Sequence, residues 1–390
     1  MLHPELKDQK KPAVPVGVPV AAATPIASAT PVASTTDVGA AKLLGFPRGL
    51  YAALERSVST EFPVRFVVVD NSGSMNSGDG TRIISLADGR SMVQRCTRWQ
   101  ELGDEVMRLG ALSEHLGART DFHLLTPIQG RSGDTVTPER QFLTLASSWR
   151  DAVNVSCAGG KCNLEELGEV MAGSPGWSTP LTEAVDQIRK QIAPVASRLR
   201  KHGKRAVVII ATDGVPDNPH TFVQSMQHLQ SLPVHLIVRL CTDQSVVVDY
   251  WSQLDKQLEA PLDQLDDVRG EAREMGWHNS WLTAGQPLHL ARTFGLRHPL
   301  FDLIDERRLL PSEVKAFCEL ILGCKPLPEP EIDRQAFLEA LKPAIADAGE
   351  IFDPRSGKMK PWVDVPALEM HLSGVPNCCV ALGQVLRAFL

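Results

Sequence analysis

Two runs of apolar residues that do not alternate with polar ones constrain this chain most: residues 66–69 (Phe66, Val67, Val68, Val69) and 206–211, from Ala206 through Val207, Val208, Ile209 and Ile210 to Ala211. Successive side chains of a strand point to opposite faces, so a strand wetted on one side alternates. Runs this uniformly apolar and β-branched are instead expected of central strands in a parallel sheet with helices on both faces. Residues 234–240 read as a third buried strand. Between these runs lie helical patterns. Trp99, Leu102, Val106, Leu109, Leu112 and Leu116 repeat at three- and four-residue spacing, and so do Val185, Ile188, Ile192 and Val195 after Leu181, with Pro194 marking a kink or an end. Shorter segments at 120–127 and 141–145 read as strands, and 164–171 as a short helix. Helix and strand alternate. The predicted fold class is therefore α/β, a doubly wound and mostly parallel central sheet flanked by helices.

Open sheets of this kind bind ligands beyond the carboxyl ends of their strands, so the residues that follow each run carry the functional argument. The run 66–69 passes directly into Asp70, Asn71, Ser72, Gly73 and Ser74, a carboxylate and two hydroxyls two residues apart. Hard divalent cations take oxygen ligands of this type. The run 206–211 passes into Thr212, Asp213 and Gly214, and a third loop, Gly176-Trp177-Ser178-Thr179-Pro180-Leu181, offers Thr179. Each loop alone has a plainer reading. Asp, Ser and Gly are ordinary turn formers whose side chains satisfy local backbone groups, Asp213-Gly214 fits a turn, and Thr179 with Pro180 behind it fits a helix cap followed by the first helical position. Three such loops in this order, each after an element of an α/β pattern, are harder to dismiss.

On these residues the chain resembles the von Willebrand factor A (VWA) family with its metal ion-dependent adhesion site (MIDAS), a Rossmann-like fold. In that family an Asp-x-Ser-x-Ser loop, a Thr and an Asp on three loops surround one divalent cation. The matching positions are Asp70, Ser72 and Ser74, then Thr179, then Asp213, and the resemblance spans about residues 65–285. It implies that Ser72, Ser74 and Thr179 touch the metal, with Asp70 and Asp213 near it directly or through water. The implied cofactor is Mg²⁺, with Mn²⁺ or Ca²⁺ as alternatives, and the implied partner is a protein that donates an Asp or Glu to complete the shell. A small six-coordinate hydroxyl site suits Mg²⁺ better than Ca²⁺.

Residues 13–34 repeat Val, Ala, Pro, Thr and Ser in polyproline-like stretches, and residues 1–44 read as a disordered tail. Pro12, Pro15 and Pro19 interrupt the apolar centre that a secretory leader needs, and no stretch of about 18 uninterrupted apolar residues occurs. The expectation is a soluble, cytoplasmic protein. A net charge of −6 from 40 basic and 46 acidic residues, without a long basic block, argues against nucleic acid as the main partner. Of the eight cysteines, Cys157 and Cys162 are five apart, Cys318 and Cys324 six apart, and no paired two-residue spacings occur, so reduced thiols are expected rather than a zinc site. Cys378-Cys379-Val380-Ala381 lies too far from the chain end for prenylation, but Cys378 and Cys379 are candidates for acylation and peripheral membrane association.

The expected organisation is a tail at 1–44, a VWA-type domain at 45–300 with an insertion at 76–92 and a helical segment at 250–275, and a helical, turn-rich extension at 301–390. The insertion is rich in Gly, Asp and Ser around Ile83-Ile84 and is expected to form a small hairpin over the site, with Asp79 and Asp88 read as solvated turn residues. Residues 278–283 are read as the last edge strand, Ser312 as the cap of a helix over 311–323, 334–341 as a further helix, and 380–390 as a terminal amphipathic one.

Catalysis is not expected. An aspartyl-phosphate phosphatase begins with a strand and an Asp, but it needs a second carboxylate two residues on, and position 72 is Ser. The Gly-x-Ser-x-Gly elbow and the P-loop spacing are missing from the strand exits. The favoured function is a cation-dependent protein-binding module, adhesive or scaffolding. A metal-free scaffold, and a VWA subunit of an ATPase or hydrolase assembly, are the alternatives.

Overall fold

The computed structural model describes residues 44–86, 90–128, 138–146, 160–176 and 178–374, and these belong to one compact unit. Strand β1 (Val64–Val69) is the centre of a seven-stranded sheet. The others are β4 (Arg119–Leu124), β5 (Phe142–Leu145), β6 (Gly160–Lys161), β7 (Ala206–Thr212), β8 (Val234–Leu240) and β9 (Asp263–Leu265). Their order is β6-β5-β4-β1-β7-β8-β9. β4, β1, β7, β8 and β9 are parallel, whereas β5 runs antiparallel to β4 and carries β6 with it at the edge. The expected doubly wound, mostly parallel sheet is thus observed. Separate hairpins are made by β2 (Gly80–Ser85) with β3 (Ser91–Cys96), and by β10 (Glu350–Asp353) with β11 (Lys358–Pro361).

The unalternating runs are explained by the two faces of the sheet. In β1, Val67 and Val69 join one apolar cluster while Val64, Phe66 and Val68 join the other, and β7 divides in the same way. Helices Leu181–Ile192, Pro219–Gln230 and Ser245–Asp255 bury their stripes on one face. The opposite face is covered by helices Arg48–Thr60, Arg98–Leu116 and Leu164–Met171, and by the chain after residue 268. Thr97 and Gln100 close a capping box that starts the Arg98–Leu116 helix, and Gly117 ends it in the left-handed conformation with φ 58°.

Several sequence expectations are corrected. The segment at 250–275 is not one helix: the Ser245–Asp255 helix stops, β9 pairs with β8 at the edge, and a second helix, Val268–His278, follows. The first helix already ends at Asp255, before Pro261, and a three-residue strand is too short to show a period of two. Residues 278–283 are not the edge strand: His278 ends the helix Val268–His278, and Leu282 makes a single bridge to Val363. The helix Pro311–Leu322 starts after Leu310, whose N–H donates to Glu313 Oε2 at 2.8 Å, with Ser312 inside its first turn, and the next helix extends over Arg334–Ala348. The boundary drawn at 300 falls inside the helix Pro299–Glu306. Trp281 and Trp362 are fully buried, and both belong to the same apolar cluster as the sheet residues Val67 and Ile209. The hairpin expected in the insertion is present as β2 and β3. Cys96, Cys162, Cys241, Cys318 and Cys324 are free thiols. Cys157, Cys378, Cys379, Asp88, most of the tail and the terminal helix lie outside the described residues.

Candidate functional site

Register places the site. β1 and β7 run side by side with Val69 opposite Ala211, so Asp70 and Thr212 leave the sheet together, and the Asp70 N–H donates to the Ala211 carbonyl at 3.0 Å. The Thr212 hydroxyl donates to Asp70 Oδ2 at 2.5 Å, and the Ser72 N–H donates to Asp70 Oδ1 at 2.8 Å. Asp70 is thus fully buried, with both oxygens engaged. Burial pushes its carboxyl pKa up, against the pull of the Thr212 and Ser72 hydrogen bonds.

The hydroxyls follow in a chain. Ser72 Oγ lies 3.0 Å from Ser74 Oγ, and Ser74 Oγ donates to Asp213 Oδ1 at 2.7 Å. The third loop is drawn in through the backbone, where the Gly176 N–H donates to the Asn71 carbonyl at 3.0 Å and Asn76 Nδ2 donates to the Pro175 carbonyl at 3.2 Å. Trp99 Nε1 holds the same loop through the Gly173 carbonyl at 2.8 Å. Thr179 lies near the loop that leaves β7: a methyl group built on Gly214 would meet Thr179 Cγ2 at 3.9 Å. Asp70, Ser72, Ser74 and Asp213 are therefore joined by hydrogen bonds at the carboxyl ends of β1 and β7, whereas Thr179 takes no part in them. Thr179 is also not a side-chain cap, because the helix Leu181–Ile192 begins from Pro180, and the Thr179 carbonyl accepts from the Leu181 N–H at 2.8 Å.

Four further residues complete the site. Asn71 is fully buried and clamps residue 126, donating from Nδ2 to the Thr126 carbonyl at 2.8 Å while its Oδ1 accepts from the Thr126 N–H at 3.0 Å. Thr212 was legible as a hydroxyl next to Asp213. Arg98 is the unexpected member. Its Nη1 donates to Asp213 Oδ2 at 2.8 Å, while Nε and Nη2 grip Asp79 at 2.7 and 2.5 Å. Arg98 is buried, the Asp213 side chain fully so, and Asp79 is 57% exposed. The Asp79 hydrogen bonds, with Asp213 behind them, hold the Arg98 pKa above its ordinary value, and Arg98 in turn lowers that of Asp79. One signal for Arg98 was present in the sequence: it occupies the first position of a helix, where the macrodipole disfavours a cation and a tertiary reason is needed.

The oxygen spacing is that of O–H···O hydrogen bonds and is also compatible with a small cation. Octahedral coordination at 2.0–2.1 Å puts neighbouring ligand oxygens about 2.9 Å apart, and the Ser72–Ser74 and Ser74–Asp213 separations are 3.0 and 2.7 Å. Among the described residues there is no group of three or more His, Cys, Asp or Glu side chains placed to hold a metal; three of the five candidate donors are hydroxyls.

No protein-family model matches the chain. No curated protein matches it either. Among solved structures it is similar to the manganese-loaded Plasmodium vivax TRAP protein, at 13% identity and a TM-score of 0.29, over 53% of this chain and 69% of that one. The fold assignment rests on this chain's own strand order and register, and no helix among the described residues is long and apolar enough to cross a membrane.

Proposed function

We propose that the chain is a divalent-cation-dependent protein-binding module in which Ser72, Ser74, Thr179 and Asp213, backed by Asp70, hold Mg²⁺ or a similar ion, and which captures an Asp or Glu of a partner protein. The observation that carries this reading is the run of oxygens at 3.0 and 2.7 Å from Ser72 through Ser74 to Asp213. When bound, the cation supplies a Lewis-acidic charge for an incoming carboxylate. The chain's own residues tune that charge: hydroxyls neutralise less of it than carboxylates would, so attraction for an acidic side chain is retained. Asp70 orients the loop, accepting from the Ser72 N–H at its base. The role is binding rather than catalysis, in keeping with a hydroxyl at position 72 where phosphoryl chemistry would require a carboxylate.

Calorimetric titration of the full chain with Mg²⁺ and Mn²⁺, repeated on Ser72→Ala and Asp70→Ala, tests the proposal. Saturable binding that both variants lose is expected, together with partner capture that disappears in EDTA. Partner binding that persists fully in EDTA, or in Ser72→Ala, would refute it. A second reading, a metal-free scaffold, is favoured by one observation: the Arg98 guanidinium already occupies Asp213 Oδ2. Absence of any heat with either ion would favour that reading.

A further inference from the structure

We propose that Arg98 sets the cation affinity of the Ser72–Ser74–Asp213 site, acting as a resident positive charge that Asp79, from the mouth of the β2–β3 hairpin, partly cancels. The inference rests on the cation-binding reading above and deepens it, because it names residues outside the ligand set that decide how tightly the ion is held.

The geometry is a relay through one carboxylate. Asp213 offers Oδ1 to Ser74 at 2.7 Å and Oδ2 to Arg98 at 2.8 Å. A cation held on the Oδ1 side and the guanidinium on the Oδ2 side share that carboxylate, and two like charges so close oppose one another. Both Arg98 and the Asp213 side chain are buried, so solvent screens the pair poorly. Asp79 touches no candidate ligand; its two oxygens are both taken by Arg98, at 2.7 and 2.5 Å. Its charge acts on the site by offsetting that of the guanidinium it grips. With Asp79 in place the Arg98 charge is shared between two carboxylates; without it the whole charge bears on Asp213.

Opposite signs follow. Removing the Asp79 charge weakens cation binding, and removing the Arg98 charge strengthens it. A bridge that served only to hold the loops in shape would weaken binding in both variants. Linkage adds a reciprocal effect: if Asp79 raises affinity for the ion, the ion tightens the hold of Arg98 on Asp79. That in turn steadies the hairpin, which is also fixed by the Thr81 N–H on Glu101 Oε2 at 2.7 Å and the Arg98 N–H on the Ser77 carbonyl at 3.0 Å.

The experiment is Mn²⁺ titration by calorimetry on the full chain, comparing the unaltered protein with Asp79→Asn, Asp79→Lys and Arg98→Met, with amide hydrogen exchange over residues 80–85 as a second readout. Asp79→Asn is expected to weaken Mn²⁺ binding roughly fivefold, Asp79→Lys more, and Arg98→Met to tighten it; exchange in the hairpin slows on adding Mn²⁺ to the unaltered protein. Asp79 is largely exposed, so its variants keep the test decisive if Arg98→Met does not fold. Unchanged or tighter binding in Asp79→Asn overturns the inference while leaving the cation reading intact. Binding seen in Arg98→Met but not in the unaltered chain upholds the inference and refutes cation occupancy of the native site. No binding in any variant refutes both.

Discussion

Replacing Asp266 by Asn should stabilise the protein at pH 8 and leave its stability unchanged near pH 4. Asp266 follows β9 and precedes Asp267, whose side chain caps the helix Val268–His278. Its Oδ1 accepts the Asp267 N–H at 2.7 Å, and its Oδ2 lies against Gly270, where an added methyl group would land 1.9 Å away. Burial, reinforced by the nearby charges of Asp267 and Asp243, pushes its carboxyl up to about 7 from an ordinary 3.8. The sign follows from proton counts. Between about pH 4 and 7 the folded protein holds a proton that the unfolded chain has released, so stability is fully present below the unfolded pKa and falls as pH rises through the folded one. A shift of about three pH units is worth at most ~4 kcal/mol. Asp266 is only partly buried, and solvent screening brings the expected penalty nearer ~2 kcal/mol. Asn keeps the oxygen that accepts from Asp267 and removes the ionisation. Urea unfolding of both proteins at intervals from pH 4 to pH 8 should give curves of stability that diverge steadily with pH. Curves that stay parallel, or an unaltered protein that gains stability relative to the variant above pH 5, would show that the carboxyl is not held in its protonated form by this surrounding.

Two further substitutions test packing around the site and behind it. Asn71→Ala removes all three hydrogen bonds to Thr126 from a fully buried position; it should cost about 2 kcal/mol and accelerate exchange of the Thr126 amide, and an unchanged exchange rate there would contradict the clamp. Gly49→Ala should cost at least ~2 kcal/mol despite the better helix propensity of Ala, because its Cβ would stand 2.2 Å from the Gly323 nitrogen and 2.3 Å from the Leu320 carbonyl, backbone atoms that cannot turn aside. A thermal midpoint equal to or above that of the unaltered protein would mean that the two helices do not approach so closely.

How far the residues were legible depended on how local their cause was. Val67 and Val68 pointed to a strand buried on both faces because the pleat alone fixes which side each faces, and the Arg98–Leu116 helix announced itself through the period of its apolar residues. Asp70, Ser72, Ser74 and Asp213 could be singled out because each directly follows or lies near a strand end, where α/β sheets place their ligands. By contrast β9 was masked by its length, and the Leu282–Val363 bridge joins residues with no shared pattern. Asp79 looked like a turn residue and proved to be half of a bidentate ion pair. Hairpin residues with no apolar periodicity carry no record of what they touch.

From the order of its residues alone, this chain was committed to a covered parallel sheet and to oxygen-rich loops at the ends of β1 and β7, because hydrophobic period and turn chemistry act over a few neighbouring residues. Only the folded arrangement decided that Arg98 would reach Asp213, 115 residues away, and hold Asp79 with the same guanidinium. Coulomb attraction depends on distance in space, and that distance is set only when the helix carrying Arg98 has packed against the sheet.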